Sequence, residues 1–277
     1  MGSNPAAPTE SSFTRHKGPA FSCRSKSSST SLATPNMVLG LLAAGRGERL
    51  RADGFAMAKG LVEIDGQPLV QRTIDAFVRC GISRISIIVN EESEDLLVYL
   101  REMGASVPIA IHVESTPSSL HSLGALAVAL AGDHKHFFLT TVDAIYDPAE
   151  LCAFVRAVGN GTEPSVATLA ITRTVEDESP LPVAFDAESG RITAIGEEVE
   201  PVEWITGGLY HFPQRVLMEI PALIAGGMHR LRRFQAWLLT AGYDVRGCPF
   251  GTMIDVDHAS DVDAAEQVLA HLKSTTK

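Results

Sequence analysis

The sequence predicts an α/β fold built on a mostly parallel, mixed sheet with helices on its faces. Two observations carry that expectation. From Met37 onward, apolar runs of strand length alternate with segments whose apolar residues recur at helical period, the order that parallel strands and crossover helices require. The first run, 38–43, empties into a turn holding Gly45 and Gly47, and in open α/β sheets ligands bind beyond the carboxyl ends of strands.

Each element has its own signal. Strands are expected at 38–43, 85–90, 109–114 and 137–142, and helices at 69–80, 94–103 and 119–131. In 69–80, Leu69, Val70, Ile74, Phe77 and Val78 share one face, and Gly81 supplies the stop. The second half is less regular. A helix at 149–158 precedes a strand at 165–172, and strands at 183–186 and 191–195 flank Glu188-Ser189-Gly190, a hairpin turn. A strand at 204–212 is interrupted by Gly207 and Gly208. Helices at 215–224 and 230–241 follow, then a last strand at 245–250 that leads through 253–256 into a closing helix at 259–272. No repeat or linker divides 37–277, so a single domain is expected there.

Residues 1–36 are rich in Ser, Thr and Pro and carry Arg15, Lys17, Arg24 and Lys26 against one acid, Glu10. Lacking periodicity, they read as a disordered extension. The composition also suits an organellar transit peptide. Patterned sequence starts immediately after Met37, which favours an extension upstream of a natural start near that methionine.

Composition excludes several classes. With 45% hydrophobic and 20% charged residues, the chain can bury a core without cross-links or structural metal. A formal net charge of −10 argues against a nucleic-acid binder, which needs a basic surface. A site holding Mg²⁺ can still accept polyphosphate, because the ion supplies local positive charge. No apolar run approaches the roughly 20 residues that span a bilayer. Cys23, Cys80, Cys152 and Cys248 are scattered without ligand-type pairs and are expected to be reduced thiols of a cytoplasmic protein.

The turn after the first strand reads Leu42-Ala43-Ala44-Gly45-Arg46-Gly47-Glu48-Arg49-Leu50. Its glycines let backbone amides approach a phosphate chain, and its alanines leave room for a base. By itself such a turn is weak evidence, and an ordinary tight turn is the plain alternative. It has neither a Gly-Lys-Ser/Thr ending nor a third glycine in dinucleotide-binding spacing.

Taken with Lys59, Asp65-Gly66-Gln67-Pro68-Leu69-Val70, Thr141-Val142-Asp143, Thr206-Gly207-Gly208-Leu209-Tyr210 and Asp255-Val256-Asp257-His258-Ala259-Ser260-Asp261, the opening resembles the sugar-phosphate nucleotidyltransferase superfamily. The blocks occur in the superfamily's order over about 38–269. The resemblance implies a Rossmann-like, three-layer nucleotide-diphospho-sugar transferase fold. It also implies transfer of a nucleoside monophosphate from a nucleoside triphosphate to a small phosphorylated metabolite, with release of pyrophosphate.

Under that resemblance Leu42, Ala43, Ala44, Gly45 and Gly47 would wrap the nucleotide, with Glu114 and Ser119 contributing to base recognition. Arg49 and Lys59 would hold the phosphates as catalytic cations. Asp143 and Asp255 would coordinate Mg²⁺, with Asp257 the competitor for Asp255, and Thr206, Gly207 and Gly208 would face the acceptor. The chemistry asks for such groups, because in-line attack on the α-phosphorus builds charge on phosphate oxygens that cations stabilise.

Plain alternatives stand beside these roles: a solvated Lys59, a turn or capping Asp143, Ser118 and Ser119 as helix caps, and a bulge at Gly207-Gly208. Asp261 reads as a cap of the last helix, and His229 to Arg233 as a solvated face.

Two departures from the superfamily pattern matter. Ala58 stands where a proline usually precedes the lysine, so a looser turn is expected there. Gly196-Glu197-Glu198 replaces a Glu-Lys pair whose lysine binds a sugar phosphate. A sugar 1-phosphate is the leading acceptor, with choline phosphate or inositol phosphate, taken by a cytidylyltransferase, as the alternative. A non-catalytic nucleotide sensor and a glycosyltransferase using Asp255-Val256-Asp257 are the readings from other classes.

Overall fold

Val38-Leu39-Gly40-Leu41-Leu42-Ala43 has no polar side chain, so a strand made of it must be covered on both faces. The computed structural model describes residues 36–159, 163–173 and 180–275; the reading of 1–36 therefore lies, but for Asn36, outside the described residues. In it β1 (Val38–Ala43) is buried along its whole length as an interior strand, third from one edge of a nine-stranded sheet.

After β1 come a short helix α1 (Glu48–Ala52), a single 3₁₀ turn (Lys59–Leu61) and a small hairpin of β2 (Glu63–Ile64) and β3 (Gln67–Pro68). Next are α2 (Leu69–Arg79), β4 (Arg84–Val89), α3 (Glu94–Glu102), β5 (Ile109–Val113), α4 (Ser119–Leu130) and β6 (His136–Thr141). The chain continues through β7 (Ala144–Tyr146), α5 (Pro148–Val158), β8 (Val166–Thr172), β9 (Val183–Asp186), β10 (Arg191–Ile195) and β11 (Ile205–Pro213). It ends with α6 (Val216–Ala225), α7 (Leu231–Thr240), β12 (Asp244–Phe250), β13 (Met253–Asp255) and α8 (Ala259–Thr275).

The sheet order is β5-β4-β1-β6-β11-β8-β12-β10-β9. Strands β5, β4, β1 and β6 are mutually parallel, as are β8 and β12, while β11 and β10 run antiparallel to both their neighbours and make the sheet mixed. The chain steps outward from β1 to β4 and β5, then returns to the other side of β1 with β6. That reversal of order opens a crevice at the carboxyl ends of β1 and β6.

Helices cover both faces. One core gathers α4, α6 and α7 against Val38, Leu42, Leu139, Leu169 and Phe212. The other gathers α2, α3 and α5 against Leu39, Leu41, Ile87, Phe138 and Leu209. The odd and even residues of β1 thus divide between two buried layers, as strand alternation requires. A third, smaller cluster packs Leu50, Val62, Ile64, Leu69, Val256, Ala265 and Leu269. It docks α1, the β2–β3 hairpin and α8 together beside the crevice. No helix among the described residues is long and apolar enough to cross a membrane.

The cysteine expectation is corrected. Cys80, at the end of α2, and Cys152, on α5, form a disulfide with Cα atoms 4.7 Å apart. The two helices pack side by side, and a separation of 72 residues hides that proximity from any spacing argument. Cys248 is a free thiol, pushed up to about 12 by burial and then by Glu150.

A histidine pair sits in the sheet. His136 and His211, neighbours on β6 and β11, stack at 4.9 Å, and burial with the adjoining His136 holds His211 down to about 3. Unfolded histidine titrates near 6.5, so the folded state resists protonation. Its contribution is complete above about pH 6.5 and is lost as pH falls toward about 3. The urea midpoint is expected to drop between pH 7 and pH 5. His211→Phe is expected to flatten that slope by on the order of 1 kcal/mol per pH unit; an unchanged slope would contradict the assignment.

Candidate active site

The register of β1 against β6 sets the geometry. Leu42 pairs with Thr141, and the Val142 amide donates to the Leu42 carbonyl at 3.0 Å. The glycine turn and Asp143 therefore leave the sheet side by side.

Gly47 begins α1 in the left-handed region (φ 62°), and a Cβ there would come within 3.1 Å of Lys59 Cβ. Glycine is required on both counts, and the turn lies directly against Lys59. A Cβ on Gly45 would meet nothing within 4 Å, so its lack of a side chain answers no internal need.

Lys59 is not a solvated surface lysine. Only 9% exposed, it places Nζ 2.5 Å from Asp143 Oδ2 and 2.5 Å from Asp257 Oδ1. Burial alone would lower its pKa, but the charges of Asp143 and Asp257 outweigh burial and raise it. Lys59 is thus a fixed cation, suited to stabilising charge and unsuited to accepting a proton. Burial likewise opposes ionisation of Asp143, yet Lys59, with help from Thr141, holds its carboxyl below the ordinary range. Arg49, on α1, donates from Nη1 to Asp257 Oδ2 at 2.9 Å across 208 residues of sequence.

These groups line a cleft of about 760 Å³ together with Leu42, Ala44, Gly45, Gly47, Ser119 and Thr141. Ala43 is buried beneath it, and Glu114, exposed after β5, is not among its lining residues. Ser118 occupies the cap position of α4 without capping it; its hydroxyl donates to the His229 carbonyl and bonds His121 Nδ1. Ser119 Oγ accepts from the Leu231 amide at 3.2 Å. The two serines therefore fasten α4 to the start of α7. Asn90 escaped the sequence reading. Buried at the end of β4, it donates to the Ala44 carbonyl and accepts from the Glu92 amide, bracing the glycine turn. A polar residue closing an apolar strand was the available signal.

A second pocket of about 340 Å³ shares Arg49 and Asp257 with the cleft and is lined by Thr172, Thr206, Gly207, Asp255 and Ser260 among others. Gly208 adopts φ 63°, and a Cβ there would lie 3.1 Å from Thr141 Oγ1 and 3.5 Å from Asp255 Oδ1. The strand also shifts register between Thr206 and Tyr210, so the glycine pair is a bulge and a close approach at once. Asp255 pairs with Ala144 where β13 meets β7, which brings it beside Asp143. Asp261 caps the approach to α8, accepting from the amides of Asp257 and His258. Residues 196–198 and the arginines of 230–233 line neither pocket.

The donor set suits a hard cation. Asp143 and Asp255 offer carboxylate oxygens alone, and Mg²⁺ needs only one or two of these when phosphates and water complete its shell. Among the described residues no group of three or more His, Cys, Asp or Glu gathers to hold a metal.

The sequence model of the MobA-like NTP transferase domain matches residues 40–241. The chain belongs to this family. The family match takes in the glycine turn, Lys59, Asp143 and the Gly207-Gly208 bulge. Among curated proteins, the chain is 31% identical over 191 residues to mannose-1-phosphate guanyltransferase of Schizosaccharomyces pombe, covering 65% of this chain and 50% of that protein. It is 29% identical over 187 residues to mannose-1-phosphate guanyltransferase beta-B of Xenopus laevis, covering 65% and 51%. The chain thus spans about half the length of the curated relatives it matches. Among solved structures, the inositol-1-phosphate CTP transferase of T. maritima superposes with a TM-score of 0.71 at 19% identity, covering 86% of this chain and 97% of that one. That likeness establishes the fold shared by this MobA-like chain.

Proposed function

We propose that the chain is a Mg²⁺-dependent nucleotidyltransferase that moves a nucleoside monophosphate from a nucleoside triphosphate to a sugar 1-phosphate and releases pyrophosphate. The convergence of Arg49, Lys59, Asp143 and Asp257 on one crevice carries this reading. The names of the guanyltransferase relatives support the acceptor class.

In this reading the larger cleft takes the triphosphate. Its backbone approaches Gly45 and Gly47, where no side chain obstructs it. An oxygen of the acceptor phosphate attacks the α-phosphorus in line; the new P–O bond forms as the bond to the bridging oxygen breaks, and pyrophosphate leaves with that electron pair. Arg49 offers a planar fork and Lys59 a compact charge, so charge growing on the bridging and equatorial oxygens meets cations already in place. Asp143 and Asp255 would hold Mg²⁺, which when bound neutralises charge on the phosphates. No protein nucleophile is needed.

The smaller pocket would take the acceptor beyond its phosphate. Thr172, Thr206, Ser260 and the carboxylates of Asp255 and Asp261 suit a polyhydroxylated ring, each hydroxyl finding an acceptor. A phosphorylated alcohol such as inositol or choline phosphate is the second reading. It is favoured by the lack of lysine among the described residues lining this pocket. The test is to incubate the protein with Mg²⁺, each of the four common triphosphates, and mannose, glucose, inositol or choline phosphates. Mass spectrometry is expected to detect a nucleotide-linked sugar; a nucleotide-linked alcohol alone would favour the second reading, and no conjugate from any pair would refute both.

A further inference from the structure

Lys59 has a long side chain with much rotamer freedom, and its ammonium is useful only if its backbone is fixed. The 3₁₀ turn that carries it begins at Ala58, whose φ of −59° and ψ of 142° lie in the extended region. No side chain within the turn caps it. Instead the Ala58 amide donates to Asp95 Oδ2 at 2.9 Å, across 37 residues, and the other Asp95 oxygen accepts from the Leu96 amide at 2.8 Å. Gly60, on the far side of Lys59, packs against Leu96, where a Cβ would come within 3.2 Å of its Cδ2. The first turn of α3 therefore grips the residues before and after Lys59.

We propose that Asp95 is a positioning residue for Lys59, fixing through the Ala58 amide the backbone angle from which the lysine reaches Asp143 and Asp257. A role in the reaction rests on the nucleotidyltransferase reading; the positioning itself does not. The looser turn expected from alanine at position 58 is thereby corrected. A proline would set φ near −65° by its ring, and here a hydrogen bond that proline could not make holds nearly the same angle.

This equivalence supplies the test. Lys59 acylation by a soluble N-hydroxysuccinimide ester, read by mass spectrometry against exposed Lys135 in the same sample, reports how firmly Lys59 is held and needs no substrate. Asp95→Ala is expected to speed Lys59 labelling about tenfold, the scale of one lost hydrogen bond. Asp95→Asn, which keeps an acceptor oxygen, is expected to label like the parent. In Asp95→Ala/Ala58→Pro the ring replaces the lost bond, and labelling is expected to return to within about twofold of the parent. Ala58→Pro alone is expected to leave labelling unchanged, and it serves should Asp95→Ala fail to fold.

Turnover is expected to follow the same pattern, with kcat falling about tenfold and the KM for nucleotide little altered. Unchanged labelling in Asp95→Ala, acceleration that proline does not reverse, or faster labelling in Ala58→Pro alone would overturn the proposal. Absence of turnover from every variant including the parent would sink the functional reading, while the labelling pattern would still decide the role of Asp95.

Discussion

Exchanging Lys59 for methionine is expected to slow nucleotidyl transfer by about 10²–10³-fold, the scale seen when one preorganised charge-stabilising group is removed. Methionine is one atom shorter but keeps the unbranched Cβ and Cγ that lie against Gly47, so that packing survives. The loss should appear in kcat and kcat/KM alike, because the charge is wanted where charge develops and not in the resting complex. Stability should fall as well, since Asp143 would keep its burial without its cation. That cost is expected to stay below the roughly 3–5 kcal/mol of a fully buried pair, because Asp257 is partly open to solvent. Lys59→Arg separates charge from shape: its planar fork cannot reproduce a point charge between two carboxylates, and only partial activity is expected. Steady-state kinetics with the preferred substrate pair would check all of this. Activity in the methionine variant within threefold of the parent would remove Lys59 from the machinery.

Asp143→Asn is expected to have the other large effect. It conserves shape and removes the negative charge that faces Lys59 at 2.5 Å. If Asp143 holds Mg²⁺, turnover should fall by more than about 10²-fold, and the Mg²⁺ concentration for half-maximal rate should rise. A variant that kept its Mg²⁺ requirement at the parental concentration would remove Asp143 from the proposed metal pair. Asp257→Asn is the control. It weakens the contacts to Arg49 and Lys59 and leaves the Asp143 and Asp255 carboxylates in place, so the Mg²⁺ requirement should move less.

Much of the fold was legible because its elements are long and their periods distinct. Apolar strands such as β1 and β4, and amphipathic helices such as α2, carry their own evidence, and their observed ends differ from expectation by a residue or so. Short elements were not legible. Helix α1, the 3₁₀ turn, the β2–β3 hairpin and β7 span too few residues for a period to register, and β7 exists because β13 pairs with it from far along the chain.

In the site, position after a strand pointed to the glycine turn and to Asp143, while Lys59 came from the family pattern alone. What sequence could not express was partnership. The bond from Ala58 to Asp95, the hold of Asn90 on Ala44, and the choice of Asp257 by both Arg49 and Lys59 arise only when separate elements meet. Glu114 shows that adjacency in sequence is not placement: it precedes the cleft's serines directly, yet it is not among the residues that line the cleft.

The most direct measurement of the central claim is pyrophosphate release by the purified chain, followed while triphosphate, acceptor phosphate and Mg²⁺ are withheld in turn. The expected result is pyrophosphate formed one for one with acceptor consumed, only when all three are present, with no orthophosphate. Tight nucleotide binding without pyrophosphate for any acceptor, or equal release after Mg²⁺ is removed by chelation, would contradict it.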